Sequence, residues 1–184
     1  FEFLGFNLIP FSKYELLMRQ DGWFPYFSRN IFVASIDTTQ LIFNILKKYP
    51  QDIDYPNFLF EQNLLSRKID VSTVDIFKRD YAGEKCFVKP VKTKSFDGLP
   101  IHSKEHLKFL DSVPDQCVYV SEHIDIISEW RCYVQKSKLI HTSNYSGDFK
   151  IAPDYRYVEK LIELYTDSPC CYTIDVCITK DGIT

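Results

Sequence analysis

Long apolar runs, paired cysteines and an excess of positive charge are all missing from this sequence, and each absence removes a class of function. No stretch approaches the roughly 20 apolar residues of a membrane span, and none carries the charged, apolar and small-residue order of a signal sequence. A membrane partner is therefore not expected. Six cysteines, at 86, 117, 132, 170, 171 and 177, form no CxxC pair and no Cys/His spacing of a metal site. They read as small buried hydrophobes of a reducing compartment, which places the protein in the cytoplasm as an expectation. The formal net charge is -3 and the pI about 5.8, so no global basic field advertises nucleic acid. Any anion site must be local. Internal repeats and low-complexity tracts are absent too.

What is present supports a core. The 184 residues are 45% hydrophobic, enough for one large domain or two small ones. Aromatics make up 16%, mostly Phe and Tyr, and they read as strand-rich packing rather than base stacking. The chain opens on Phe1 and stops at KDGIT, where DG is a hairpin turn whose second strand has barely begun. A piece of a larger folding unit is expected.

Along the chain, FEFLGFNLIPF predicts a strand closed by Pro10, SKYELLMR a helix from Ser12, NIFVAS a second strand, and TTQLIFNILKKY a helix. This alternation predicts a small α/β unit up to about Tyr49. PQDIDYP is a connector, and FLFEQNLLSRKIDVS is a helix running into a strand-like exit. Ser72 or Thr73 caps the next segment, EKCFVKPV is a strand, and IHSKEHLKFLDSV is a helix. QCVYVSEHI, EWRCYVQ and KLIHTSNYS are strands, with a turn at QKSK. PDYRYVEKLIELYTD places Val158, Leu161, Ile162 and Tyr165 on one helical face, and CCYTIDVCITKDG returns to strand.

Four patterns carry chemistry, in one order: the basic LSRK at 65–68, the lysine-bearing FVKPVKTKSFDG at 87–98, the acidic VYVSEHIDIISEWR at 118–131, and YTIDV at 172–176. Lys89, Lys92 and Lys94 follow an apolar strand directly, and three cations there need either solvation or an anion. Pro90 keeps Lys89 extended and so aims its charge. Asp175 is an isolated carboxylate in an apolar strand, costly to bury without a cation or hydrogen bonds. His141 reads as a base or, more often for a lone strand histidine, as a packed residue, and no catalytic role is assigned to it; Tyr145, Asp148 and Lys150 lie in a loop that reads as a solvated turn or as substrate-facing.

The order of strand-borne Lys-Pro, loop, hinge strand with Glu, Glu-x-Arg and a late Asp before a hairpin resembles the ATP-grasp superfamily. DYPNFL, LSRKIDVST, FVKPVKTKSFDG and SEWRCYV resemble, more narrowly, a divergent clade with a lysine-bearing KxFxG loop in place of the glycine-rich loop. The resemblance implies an α+β fold, with two α+β lobes clamping ATP, preceded by a partial α/β pre-ATP-grasp domain. The expected boundaries are 1–53 for that first domain, 54–118 for lobe one, and 119–184 for a C-terminally incomplete lobe two.

By the same resemblance, Lys89 and Arg67 face the nucleotide phosphates, and Lys94, with Lys92 as its neighbour, lies in the loop that covers them. Main-chain groups near Tyr119, Val120 and Ser121 meet the adenine edge, with Glu122 near adenine or ribose and Glu129 facing ribose. Arg131 steadies the γ-phosphate or an acyl phosphate, as its planar fork suits, and shares the catalytic assignment with Lys94. Asp175 matches the first magnesium carboxylate; the family's second metal motif, a Glu and an Asn, would fall beyond Thr184. The implied cofactors are ATP and Mg²⁺. The implied activity is an ATP-dependent carboxylate–amine ligase acting on a carboxylate and an amine, the latter from an amino acid or peptide. A nucleotide-binding regulatory or structural module, and a plain α+β interaction domain with surface lysines, remain the alternatives.

Overall fold

The computed structural model describes residues 5, 7–18, 20–27, 29–49, 55–62, 64–92 and 95–183. The chain divides into two compact units, residues 1–51 and 52–184.

The first unit is helical throughout its described elements: α1 (Lys13–Met18), α2 (Gln20–Phe27, with Pro25 inside) and α3 (Ile36–Leu46). Ser12 and Glu15 bond reciprocally at the start of α1, the Glu15 carboxylate accepting from the Ser12 main-chain N–H at 2.7 Å and the Ser12 hydroxyl from the Glu15 N–H at 3.2 Å. Leu16, Phe27, Ile42 and Leu46 form its buried core, and Phe11 and Phe32 meet Phe27 edge-on. The strand expected at NIFVAS does not form: Ile31 and Val33 are 82% and 68% exposed, and a strand has no independent stability without a neighbour to pair with. Half of the strand expected over residues 1–10 lies outside the described residues, and residues 5 and 7–10 carry no strand. The α/β expectation is thus corrected to helical for what is described.

The second unit holds α4 (Asn57–Glu61), β1 (Ile69–Thr73), α5 (Val74–Asp80), β2 (Cys86–Pro90), β3 (Leu99–Ile101), a 3₁₀ helix (Lys104–Leu110), β4 (Cys117–Glu122), β5 (Ser128–Gln135), β6 (Lys138–Gly147), α6 (Tyr155–Leu164), β7 (Cys171–Thr179) and β8 (Gly182–Ile183). Two antiparallel sheets result, ordered β1-β4-β2-β3 and β6-β5-β7-β8. Thr73 caps α5, its hydroxyl accepting from the Ile76 N–H at 3.3 Å. The segment expected as a helix after His102 is helical, wound as a 3₁₀ helix.

Each sheet buries one face. In the first sheet Val88, Cys86, Ile101 and Val118 pack against Val74 and Phe77 of α5 and Leu110 of the 3₁₀ helix. In the second, Cys132, Val134, Tyr172 and Val176 pack against Val158 and Ile162 of α6. Each such aliphatic side chain contributes on the order of 1.5–3 kcal/mol when fully buried. Because successive strand residues alternate sides, Phe87 and Lys89 lie on the face of the first sheet away from its helices. Glu129, Arg131 and Asp175 lie on the face of the second away from α6.

Two turns fix this registration. The β5–β6 hairpin turns at Lys136 and Ser137, both with positive φ (49° and 55°), the hand that matches strand twist. Gly147 (φ +75°) lets β6 close on the segment that joins the sheets: a Cβ there would meet the Ile127 carbonyl oxygen at 2.2 Å. Asp148 N–H donates to that same oxygen at 3.0 Å.

Candidate functional site

A cleft of about 860 Å³ lies in the second unit, bordered by both sheets, α4 and the loop before β3. From the first sheet it receives Phe87, Lys89, Ser121 and Glu122, and from the second Glu129, Arg131, Asp175 and Cys177. Arg67 reaches it from the approach to β1.

Lys89 leaves β2 directly opposite Tyr119 of β4. Its Nζ stands 3.8 Å from the centre of the Tyr55 ring and 5.5 Å from that of Tyr119. The two rings meet edge-on with centroids 5.2 Å apart. Among the described residues no carboxylate forms an ion pair with Lys89. Arg67 Nη2 donates to the Tyr55 hydroxyl at 3.2 Å. One tyrosine therefore touches both cations of this wall.

On the other wall, Arg131 of β5 stands directly across the ladder from Asp175 of β7. Its Nε and Nη2 donate to Oδ1 and Oδ2, each at 2.7 Å. The two side chains are 33% and 38% exposed, so water still reaches the pair. The Asp175 carboxylate raises the guanidinium pKa well above its ordinary value, and the Tyr145 ring stacks 4.6 Å from Cζ. Burial first, then the Asp175 charge, lifts the Glu129 carboxyl above its usual range, against the opposing pull of Arg131. Cys177, across the ladder from Glu129, has its thiol pushed up to about 11, chiefly by burial and then by Glu129. It stays protonated and is no nucleophile at neutral pH.

Arg67, Lys89, Ser121, Glu122, Glu129, Arg131 and Asp175 thus converge on one cleft. Of three expectations, the first and third need correction, and the second, on the loop lysines, falls partly outside the described residues. The main chain of Tyr119, Val120 and Ser121 is engaged within the sheet: β4 is an interior strand, paired at these residues with both β1 and β2. Its backbone groups are committed to the ladders, and the Val120 side chain packs on the core under α5. The stretch that follows β4, outside both sheets, also lines the cleft, at His123, Ile124 and Ile126. Second, Lys92 is exposed and does not line the cleft, while Lys94 lies outside the described residues. Third, the cysteines are not uniformly buried: all six are free, Cys86 and Cys132 are buried, Cys177 is intermediate, and Cys117, Cys170 and Cys171 are exposed at strand ends.

Tyr55 and Phe87 escaped sequence reasoning. The only signal for Tyr55 is its place before Pro56, which holds it extended ahead of α4. Phe87 shares a strand face with Lys89, and Gly98 crowds its ring so closely that a Cβ would meet Cζ at 2.3 Å.

The donors present are compatible with the magnesium that the resemblance implies. Asp175 is a half-exposed carboxylate in the cleft, and an ionised carboxylate has about four lone-pair positions, of which Arg131 engages two. Mg²⁺ binds through one or two carboxylates, with substrate phosphates and water completing its shell, so a protein cage is not required. No group of three or more His, Cys, Asp or Glu that could hold a metal occurs among the described residues. Nor, among them, is any helix long and apolar enough to cross a membrane.

Comparison with known proteins fits this geometry. The family model described as the ATP-grasp domain, R-2-K clade family 2, matches residues 64–184. Among solved structures, D-alanine–D-alanine ligase from Bacillus anthracis superposes with a TM-score of 0.53 at 16% identity, covering 76% of this chain and 53% of the ligase. The ATP-grasp ligase PsnB, complexed with a minimal precursor, gives 0.48 at 15% identity over 68% of this chain and 46% of its own. Cdc123 from Schizosaccharomyces pombe gives 0.42 at 14% identity, over 71% and 79%. The chain spans about half the length of the first two of these structures. No curated protein matches it in sequence. With two mixed α and β layers around a cation-lined cleft, and a family match over most of its length, the chain belongs to the ATP-grasp domain family, in the second family of the R-2-K clade.

Proposed function

We propose that the cleft binds ATP and that the complete protein is an ATP-dependent carboxylate–amine ligase. The observation that carries this reading is Lys89, an ammonium resting on the Tyr55 ring with no carboxylate paired to it among the described residues, in the same cleft as the Arg131–Asp175 pair. Aromatic rings position a cation without neutralising it, so its charge stays available to phosphate oxygens.

In this reading Lys89 and Arg67 take the nucleotide phosphates. The base lies toward His123, Ile124 and Ile126, with Phe87 offering an apolar face. A substrate carboxylate oxygen attacks the γ-phosphorus, and the bond to the β,γ-bridging oxygen breaks with its electron pair leaving on ADP. An amine then attacks the acyl carbon, the carbon–oxygen bond to phosphate breaks, and the amine loses a proton to solvent. Arg131 has N–H donors beyond the two spent on Asp175, and these steady the charge on the moving phosphoryl group. Magnesium, when bound at Asp175, neutralises phosphate charge during the transfer.

One observation favours a nucleotide-binding module without ligation: both Asp175 oxygens are engaged by Arg131, and no three-donor group accompanies them among the described residues. Assaying ADP release by the full-length protein separates the two. The ligase reading expects release that requires both a carboxylate and an amine in the mixture. Nucleotide binding with no carboxylate-dependent release, across a panel of amino acids and short peptides, would leave the module.

A further inference from the structure

We infer that Tyr55 is the positioning residue that holds Lys89 and Arg67 in place for a polyphosphate, an inference that rests on the nucleotide reading of the cleft. Tyr55 belongs to neither sheet. It precedes Pro56, whose extended geometry (φ -62°, ψ 143°) starts α4, and it is braced edge-on by Phe60 at 6.0 Å and Tyr119 at 5.2 Å. From there its ring face meets Lys89 Nζ at 3.8 Å and its hydroxyl accepts from Arg67 Nη2 at 3.2 Å.

The chemistry explains why a tyrosine suits this place. Two long cationic side chains that share a cleft repel each other, and each loses substantial rotamer freedom when it is ordered. A carboxylate between them would fix both, but it would also cancel the charge that a phosphate needs and would compete with the phosphate for the same N–H donors. A tyrosine offers a ring face to the ammonium and a neutral oxygen to the guanidinium, so it holds both cations without adding a negative charge of its own. Pre-ordering them lowers the cost of assembling the site when the ligand arrives. Tyr119, the cross-strand neighbour of Lys89, offers a second ring 5.5 Å from the ammonium and braces Tyr55 edge-on.

Calorimetric titration of the full chain with ATP and with adenosine, in wild type, Tyr55→Phe and Tyr55→Leu, tests this. Tyr55→Phe keeps the ring and loses the hydroxyl, so ATP affinity is expected to fall about 3–10-fold; Tyr55→Leu loses both contacts and should weaken ATP about 10–100-fold. Adenosine affinity should stay within about two-fold in both variants, because adenosine has no phosphate for the two cations to meet. A Tyr55 that merely shaped the cleft would weaken ATP and adenosine alike, and that result overturns the inference. Wild type that binds ATP with both variants unchanged also overturns it while leaving the nucleotide reading intact. Wild type that binds neither ATP nor inorganic tripolyphosphate removes the nucleotide reading and this role with it.

Discussion

Arg131→Ala is expected to lose ligase turnover by about 10²–10³-fold, the scale on which removal of one donor to a developing negative charge slows an enzyme. It should also destabilise the unit by about 1–2 kcal/mol. That figure lies between an exposed ion pair, worth up to about 1 kcal/mol, and a buried pair broken on one side, about 3–5 kcal/mol, because the two side chains are a third or more exposed. The loss has a pH signature. Glu129 already has its carboxyl raised above 4.5 by burial and by Asp175, and Arg131 is the influence that opposes this. A carboxyl with a raised folded pKa keeps its stability contribution below its unfolded pKa and loses it as pH rises through the folded value. Removing Arg131 raises Glu129 further, so the variant's deficit should be widest at neutral pH and narrow as pH falls toward 4.5 and below. Urea unfolding at several pH values reads this directly. A deficit that does not change with pH would mean that Glu129 and Arg131 do not interact.

Asp175→Asn keeps the shape of the side chain and removes its charge. Two consequences follow, and they separate structure from chemistry. Arg131 retains a neutral acceptor across the ladder, so the fold should survive with a loss of about 1 kcal/mol or less. Turnover by the full-length protein should fall by at least about 10²-fold, since several kcal/mol of charge stabilisation on the moving phosphoryl group would go with the metal. The distinguishing readout is binding: added magnesium should tighten nucleotide binding in wild type and have little effect in Asp175→Asn. Equal magnesium dependence in both proteins would remove Asp175 from the metal site and leave it solely as the partner of Arg131.

That partnership marks the limit of what the sequence discloses. The strands β2, β5 and β7 are legible because their apolar residues alternate or run continuously between turn signals, and the apolar trio of α6 is legible from its spacing. Lys89, Arg131 and Asp175 stand out by charge at strand positions. What is not legible is who meets whom. Asp175 looks isolated in YTIDV, yet its hydrogen bonds come from a residue 44 positions earlier, brought opposite by antiparallel register. The desolvation argument that made it conspicuous is therefore met in large part by Arg131, without a metal. The same long-range pairing explains the misreading of VYVSEHI. An isolated strand does not reveal whether it sits at an edge or in the interior, and β4 is interior, so its main chain is spent on β1 and β2. NIFVAS fails for the opposite reason: its composition favours a strand, but among the described residues nothing pairs with it. Tyr55 was hidden because one aromatic before a proline looks like any connector until the fold places two cations against it.

In the proposed function the cleft of the second unit holds nucleotide phosphates through Lys89. Thermal unfolding of the intact protein, wild type and Lys89→Ala, with and without ATP and magnesium, tests it most directly. At an ATP concentration near 100 times Kd, mass action adds about 2.7 kcal/mol to the folded state, which for a chain of this size raises Tm by about 5–10 °C. That rise is expected in wild type and none in Lys89→Ala, whose ligand-free Tm stays close to that of wild type because Lys89 lines the cleft rather than the core. A folded wild type with no shift, or an equal shift in the variant, would contradict it.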